Sequence, residues 1–230
     1  MKWRSLEEAA TQEIRSLREI YSERQKLIEQ YVPEEIRAVH RRAIEELRTS
    51  GIVDRALKQG DQAPAFELPN QNGELNKSSD LLRQGPLVIV FFRGRWCPFC
   101  VGQMEAMNAI YPDIQRAGAS FVAISPQTVH QSYLMADQHH LGFPLLGDAG
   151  NEVAGRFGLS YEIPEYQTAI YQRAFVNLPH INGNPEWKLP IPATYVVDPT
   201  GNIRYANANP DYTDRPEPHD LLELFPQLFS

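Results

Sequence analysis

A short apolar run, Leu87-Val88-Ile89-Val90-Phe91-Phe92, is fenced by Gly85-Pro86 in front and Gly94 behind. Its length and its Val, Ile and Phe content read as a buried strand. Immediately after it comes Arg93-Gly94-Arg95-Trp96-Cys97-Pro98-Phe99-Cys100, then Met104, Met107, Ile110 and Ile114 at helical spacing. Proline suits the first position of a helix, where its missing N–H costs nothing. The strand therefore ends, and a helix begins, at two cysteines. Cys97 falls at or beside the N-cap and Cys100 lies one turn further in. No other cysteine occurs in the 230 residues.

That placement has chemical consequences. The free N–H groups and positive dipole end of a helix N-terminus stabilise a thiolate, as does nearby positive charge. Arg93 and Arg95 are close enough in sequence to supply it. Residues three apart share a helix face, with Cβ atoms about 5–6 Å apart, near what a disulfide spans. One thiolate can then attack an external sulfur or oxygen while the other closes an internal disulfide. Two other readings compete. A zinc site needs about four ligands, yet His40, His130, His139, His140, His180 and His219 form no second pair at ligand spacing. Two buried inert thiols are the other. Trp96, the intervening Pro98 and the strand-to-helix position favour redox chemistry, with no metal and no cofactor.

The rest of the composition sets bounds. With 42% hydrophobic and 22% charged residues and no membrane-length apolar run, the chain reads as a soluble globular protein. Met1 to Glu8 has no apolar signal core, so a cytoplasmic location is expected. Two cysteines build no disulfide scaffold, which fits a reducing compartment. A net charge of −7 argues against nucleic acid or an anionic membrane as partner. Residues 1–60 hold 12 Lys+Arg against 11 Asp+Glu and residues 61–230 hold 10 against 18, which marks the first stretch as a different kind of segment.

Within that stretch, Ser5 and Glu8 have capping-box spacing, and Leu6 to Tyr31 carries a helical stripe. Pro33 opens a second helix with Ile36, Val39, Ala43 and Leu47 on one face, stopping near Gly51. The pair reads as a helical hairpin packed on the core or, equally, as an arm for homodimerisation. From Asp61 onward the pattern changes. Ala63–Leu68 and Glu74-Leu75 suggest a hairpin, 98–117 a helix, 120–125 a second buried strand, 129–141 a helix, and 152–157 a short helix. Ala193–Val197 and Ile203–Ala206, joined through Asp198-Pro199-Thr200-Gly201-Asn202, have clear hairpin chemistry. A last helix spans about 217–225. The order indicates an α/β chain with a mixed sheet flanked by helices.

Several stretches together resemble a known family. Ala63-Pro64-Ala65-Phe66-Glu67-Leu68, Phe121-Val122-Ala123-Ile124-Ser125, Phe143-Pro144-Leu145-Leu146-Gly147-Asp148 and Pro192 to Gly201 look like the peroxiredoxin group of the alkyl hydroperoxide reductase/thiol-specific antioxidant superfamily. The resemblance covers residues 61 to 225 and implies a thioredoxin-like, peroxiredoxin-type domain over 61–230, preceded by a helical extension over 1–60. The family's Pro-x-x-x-Thr/Ser-x-x-Cys is only partly kept. Cys100 with Gln103 matches its end, but Cys97 replaces the Thr/Ser, Arg93 the Pro, and Ala193 a supporting arginine. The same window resembles an intact thioredoxin Trp-Cys-x-x-Cys, flanked by Trp96, and Pro192 is similar to the cis-proline facing that motif.

These resemblances imply two redox readings. The first is a thiol–disulfide oxidoreductase in which Cys97 attacks and Cys100 resolves. It is favoured because two of the family's usual contributors to O–O cleavage are replaced, whereas attack on a disulfide needs only a reactive, accessible thiolate and a partner thiol. The alternative is a hydroperoxide reductase in which Cys100 attacks, Cys97 resolves, and thioredoxin or a similar thiol reductant recycles the pair. From another class comes a zinc-binding or structural interaction protein. The stretch 161–187, longer than the fold requires, is expected to cover the cysteines.

Overall fold

The computed structural model describes residues 16–229. Along the chain run helices α1 (Leu17–Tyr31), α2 (Glu34–Thr49) and α3 (Ile52–Arg55), then strands β1 (Glu67–Pro69) and β2 (Leu75–Lys77) and helix α4 (Ser78–Leu82). The centre follows as β3 (Leu87–Phe91), α5 (Pro98–Arg116), β4 (Ser120–Ser125), α6 (Val129–Gln138), β5 (Leu145–Gly147) and α7 (Glu152–Arg156). Strand β6 (Ser160–Glu162), helices α8 (Glu165–Arg173) and α9 (Leu178–Asn182) and strand β7 (Lys188–Pro190) come next. The chain ends in β8 (Ala193–Val197), β9 (Ile203–Ala208) and α10 (Pro218–Leu228). The main sheet has the order β5-β4-β3-β8-β9. Strand β3 is parallel to β4 and antiparallel to β8, so the sheet is mixed and β3 sits at its centre.

Period-two alternation divides the core. Val88, Val90 and Phe92 point into one cluster with Met104, Met107, Ile114 and both cysteines. Leu87, Ile89 and Phe91 point into the other with Phe157, Tyr195 and Ile203. All five β3 residues are buried, which is why the run shows no polar alternation. At the 198–202 turn, Asp198 Oδ1 accepts the amides of Thr200 (2.9 Å) and Asn202 (3.0 Å), and β8 folds back onto β9.

The first segment differs from its sequence reading. The Ser5/Glu8 box lies outside the described residues, and α1 instead starts at a capping box of Ser16 and Glu19. Its N-terminus is also held from far along the chain. Glu217 Oε1 and Oε2 accept the amides of Leu17 (2.7 Å) and Arg18 (3.2 Å). Leu17 and Tyr21 join the cluster that contains the cysteines, while Ile52 and Ala56 join the opposite one. Part of the stripes that raised the dimerisation reading is thus covered within the chain, whereas Tyr31 at the end of α1 is exposed. Helix α6 stops at Gln138, three residues before its expected end, because His140 turns at φ 49°. The 161–187 stretch closes on itself through the β6–β7 ladder and presents α8 to α2. There Arg42 stacks at 4.2 Å over the Tyr166 ring, and the Tyr166 hydroxyl bonds Glu46.

Candidate active site

Helix α5 begins at Cys97, an N-cap residue with extended backbone (φ −93°, ψ 112°), and Pro98 occupies N1. Both thiols are free, and both are buried, Cys97 at 1% exposure and Cys100 at 0%. Burial acts to raise the Cys97 thiol. The Cys100 thiol and amide, Arg93 and Arg215 outweigh it and bring Cys97 down to about 6. The same burial, reinforced by Cys97, pushes Cys100 well above an ordinary thiol. One of the pair is therefore set up as a thiolate and the other as its proton-bearing neighbour.

The hydrogen bond between the two thiols sets that asymmetry, and Arg93 favours the ionised form of both. Arg93 is buried at 2% exposure, and among the described residues it forms no ion pair with a carboxylate. Its Nη2 donates to the Tyr171 hydroxyl, and its Nε has no partner. The guanidinium instead lies among rings, 4.0 Å from the centre of Tyr212 and 4.8 Å from that of Trp96. A buried cation without a carboxylate is costly unless an anion is near. Here the available anion is the Cys97 thiolate. His40 of α2 completes the wall, its ring centre 6.0 Å from Tyr171 and 6.3 Å from Tyr212. Burial, aided by Arg93, lowers it to about 4, so it stays neutral.

The other expected residues divide. Trp96 packs its ring 5.2 Å from that of Tyr171, and its Nε1 rests over Gly94, where an added Cβ would stand only 2.7 Å away. Gly94 also holds φ 138°, so the turn out of β3 requires glycine on two counts. Arg95 reaches towards α6, where its amide donates to Gln127 Oε1 (2.9 Å) and its Nε to Gln131 Oε1 (2.6 Å). Gln103 is buried on α5, one turn beyond Cys100, and accepts from Arg215 Nε at 3.2 Å. Pro192 is buried just before β8, but the expected cis bond is absent, since no described peptide is cis. Trans is the favoured isomer of an X–Pro bond by about 0.5–1 kcal/mol, and the likeness to thioredoxin does not extend to it. His130 is exposed, and Asp113 pairs with Arg116 on the surface. Among the described residues no three His, Cys, Asp or Glu side chains gather where they could hold a metal ion.

Sequence reasoning expected cover from 161–187, which supplies Tyr171, but missed the share of α1 and of the segment after β9. From α1, the Tyr21 hydroxyl donates to the Phe99 carbonyl at 2.6 Å, and Arg24 donates to the Pro98 carbonyl. Those two carbonyls belong to the first turn of α5. Helix α1 comes so close that a Cβ on Gly102 would collide with Arg24 and stand 3.0 Å from Ile20 Cγ2. Tyr171 comes from α8, while Tyr212 and Arg215 come from the segment between β9 and α10. The available signal for that last piece is Asp211-Tyr212-Thr213, whose Asp side chain accepts the Thr213 amide at 3.0 Å and marks a built turn.

The AhpC/TSA family model matches residues 59–206. The chain belongs to that family. Peroxiredoxin Bcp of Escherichia coli is 33% identical over 104 residues, which are 45% of this chain and 65% of that relative, just under two thirds of its length. Chloroplastic peroxiredoxin Q of Triticum aestivum is 27% identical over 182 residues, covering 78% of this chain and 72% of that one. Among solved structures, peroxidoxin BcpB from Mycobacterium tuberculosis superposes with a TM-score of 0.60 at 23% identity, over 76% of this chain and 99% of that one. As an AhpC/TSA-family member of thioredoxin-like fold, the protein is a thiol-based oxidoreductase. Its cover lies largely outside the family match, because α1, α2, Tyr212 and Arg215 all fall beyond residues 59–206.

Proposed function

We propose that the protein is a hydroperoxide reductase that collects two oxidising equivalents as a Cys97–Cys100 disulfide and is re-reduced by a thioredoxin-type dithiol. The observation that carries this is the burial of both sulfurs beside an Arg93 that has no carboxylate partner. Exchange with a protein disulfide needs in-line access to an exposed sulfur, which favoured the first sequence reading only while the thiols were taken as accessible. A hydroperoxide is small enough to reach a covered thiolate, and the relatives named peroxiredoxin support that choice. The order of attack follows the acidity of the thiols. Cys97 is the thiolate near neutral pH, although the family motif aligns its attacking cysteine with Cys100.

In this cycle the Cys97 thiolate attacks one peroxide oxygen. An S–O bond forms, the O–O bond breaks, and the leaving alkoxide or hydroxide takes a proton to become alcohol or water. Cys100 then attacks the sulfenic sulfur, an S–S bond forms, and water leaves. A thioredoxin-type dithiol returns two electrons by exchange, a step that requires the cover to open over the Cys97–Cys100 disulfide, and a reducing compartment such as the cytoplasm fits that partner. The division into an arm over 1–60 and a catalytic body over 61–230 has a purpose in this scheme: helices α1 and α2 of the arm help to cover the body's thiols. The test compares peroxide consumption, with a thioredoxin-type dithiol as reductant, against reduction of insulin disulfides. The expected result is peroxide turnover above about 10⁴ M⁻¹ s⁻¹ and no insulin reduction beyond the reductant alone. Insulin reduction without peroxide turnover would restore the disulfide-exchange reading.

A further inference from the structure

The family's supporting arginine is missing, and Ala193 stands in its place with no donor to offer. We propose that Arg215, from the segment between β9 and α10, supplies the second guanidinium of this thiol site and offers its Nη2 to the oxygen that leaves the peroxide. This rests on the hydroperoxide reading for the leaving oxygen but not for the thiolate.

Three of the Arg215 donor groups are accounted for by geometry. Nε donates to Gln103 Oε1 at 3.2 Å, and Nη1 donates to the carbonyls of Asp211 (3.1 Å) and Asp214 (2.8 Å). The side chain is thus clamped from both ends of its fork. Nη2 is buried and has no partner. A buried N–H of a charged group left unpaired is unfavourable and calls for an explanation. Among the described residues Arg215 also forms no ion pair with a carboxylate, so its charge is not neutralised locally. Gln103, which aims it, lies one turn beyond Cys100 on the buried side of α5.

A cavity adjoins this side chain. About 500 Å³ in volume, it opens between α1 and the C-terminal segment, lined by Leu17, Tyr21, Tyr205, Arg215, Leu221 and Leu224 among others. Tyr21 in its wall is bonded to the Phe99 carbonyl, in the first turn of the cysteine helix. A peroxide entering this cavity meets Arg215 in its wall. The field of Arg215 favours the anionic form of both cysteines, as that of Arg93 does. Preorganised donors aimed at developing charge are worth most where water is excluded.

The decisive experiment measures two quantities in Arg215→Gln, Arg215→Lys and Gln103→Met, with thermal melts to confirm folding. One is the pH midpoint of Cys97 alkylation, mapped by mass spectrometry; the other is the single-turnover rate with hydrogen peroxide. Arg215→Gln should raise the midpoint by about half a unit or more and slow the peroxide step by about 10²-fold. Arg215→Lys should keep the midpoint while losing most of the rate, because an ammonium lacks the fork. Gln103→Met should slow the peroxide step less than Arg215→Gln does, and it decides the matter together with Arg215→Lys if Arg215→Gln does not fold. A wild-type midpoint and rate in Arg215→Gln, or a wild-type rate in both other variants, would overturn the proposal. The midpoint requires no peroxide, so it stays decisive for the thiolate even if the enzyme proves not to reduce peroxides.

Discussion

The central sheet and the cover over its cysteines are built on opposite principles. In the sheet, every β3 side chain is buried against other apolar groups, and the two faces divide by simple alternation. In the cover, α1, α2, α8 and the 209–217 segment meet over one spot and bring Tyr21, His40, Tyr171, Tyr212 and Arg215 to it. The sheet places the sulfurs, and Arg93, which follows β3, and Arg215 of the cover both favour their ionised form. The matched residues 59–206 hold the dithiol and Arg93, while α1, α2, Tyr212 and Arg215 lie outside that match.

The sharpest way to test that division is to remove a sulfur. Cys97→Ser should lower single-turnover peroxide reduction by about 10³-fold or more, as loss of an attacking nucleophile does, while Cys100→Ser should retain the first step and stop at a sulfenic acid detectable by dimedone labelling. Reversed behaviour would give the attacking role to Cys100. Next comes Arg93→Met, which removes the buried cation but keeps much of the volume. The Cys97 alkylation midpoint should climb from about 6 towards the unperturbed value of about 8.5, cutting the peroxide rate near pH 7 by about tenfold or more. An unmoved midpoint would remove the reason for burying an uncompensated guanidinium.

Smaller effects probe the seam between the two regions. Gly102→Ala should destabilise the fold by about 1–3 kcal/mol in chemical denaturation, because α1 must retreat from α5. Glu217→Gln weakens the long-range cap on α1 and should cost about 1 kcal/mol, with faster reaction of the thiols towards bulky alkylating agents. The mildest concerns His40. Its folded pKa of about 4 lies below the unfolded value near 6.5, so the unfolded chain takes up the proton first. Its contribution is therefore intact above pH 6.5 and is lost as pH falls towards 4. His40→Phe should flatten the stability profile across that window; an unchanged slope would detach α2 from the electrostatics of the site.

Legibility in the sequence followed the same boundary. The β3 run, the Cys97-Pro98 helix start and the Asp198 turn could be read because each is decided by neighbours within a few residues. Arg93 could be singled out as nearby charge, but not as a buried cation, since Tyr171 and Tyr212 reach it only through tertiary packing. Arg95 looked equivalent in sequence, and its contacts with Gln127 and Gln131 could not be read there. The arm's apolar stripe was visible, yet its target was not, because the complementary surface is assembled from α5 and α10. Burial of the thiols, on which the proposed peroxide substrate rests, likewise depends on tertiary packing of β3, α5 and the cover.

The claim on which the rest depends is that these two buried sulfurs form one redox couple driven by peroxide. It is tested by adding one equivalent of hydrogen peroxide to the reduced protein, quenching with an alkylating agent, and mapping both cysteines by mass spectrometry. The proposed cycle predicts loss of both free thiols together and a peptide joined by a Cys97–Cys100 disulfide within one chain. Two thiols still free at that point, or oxidation to disulfides between chains only, would contradict it.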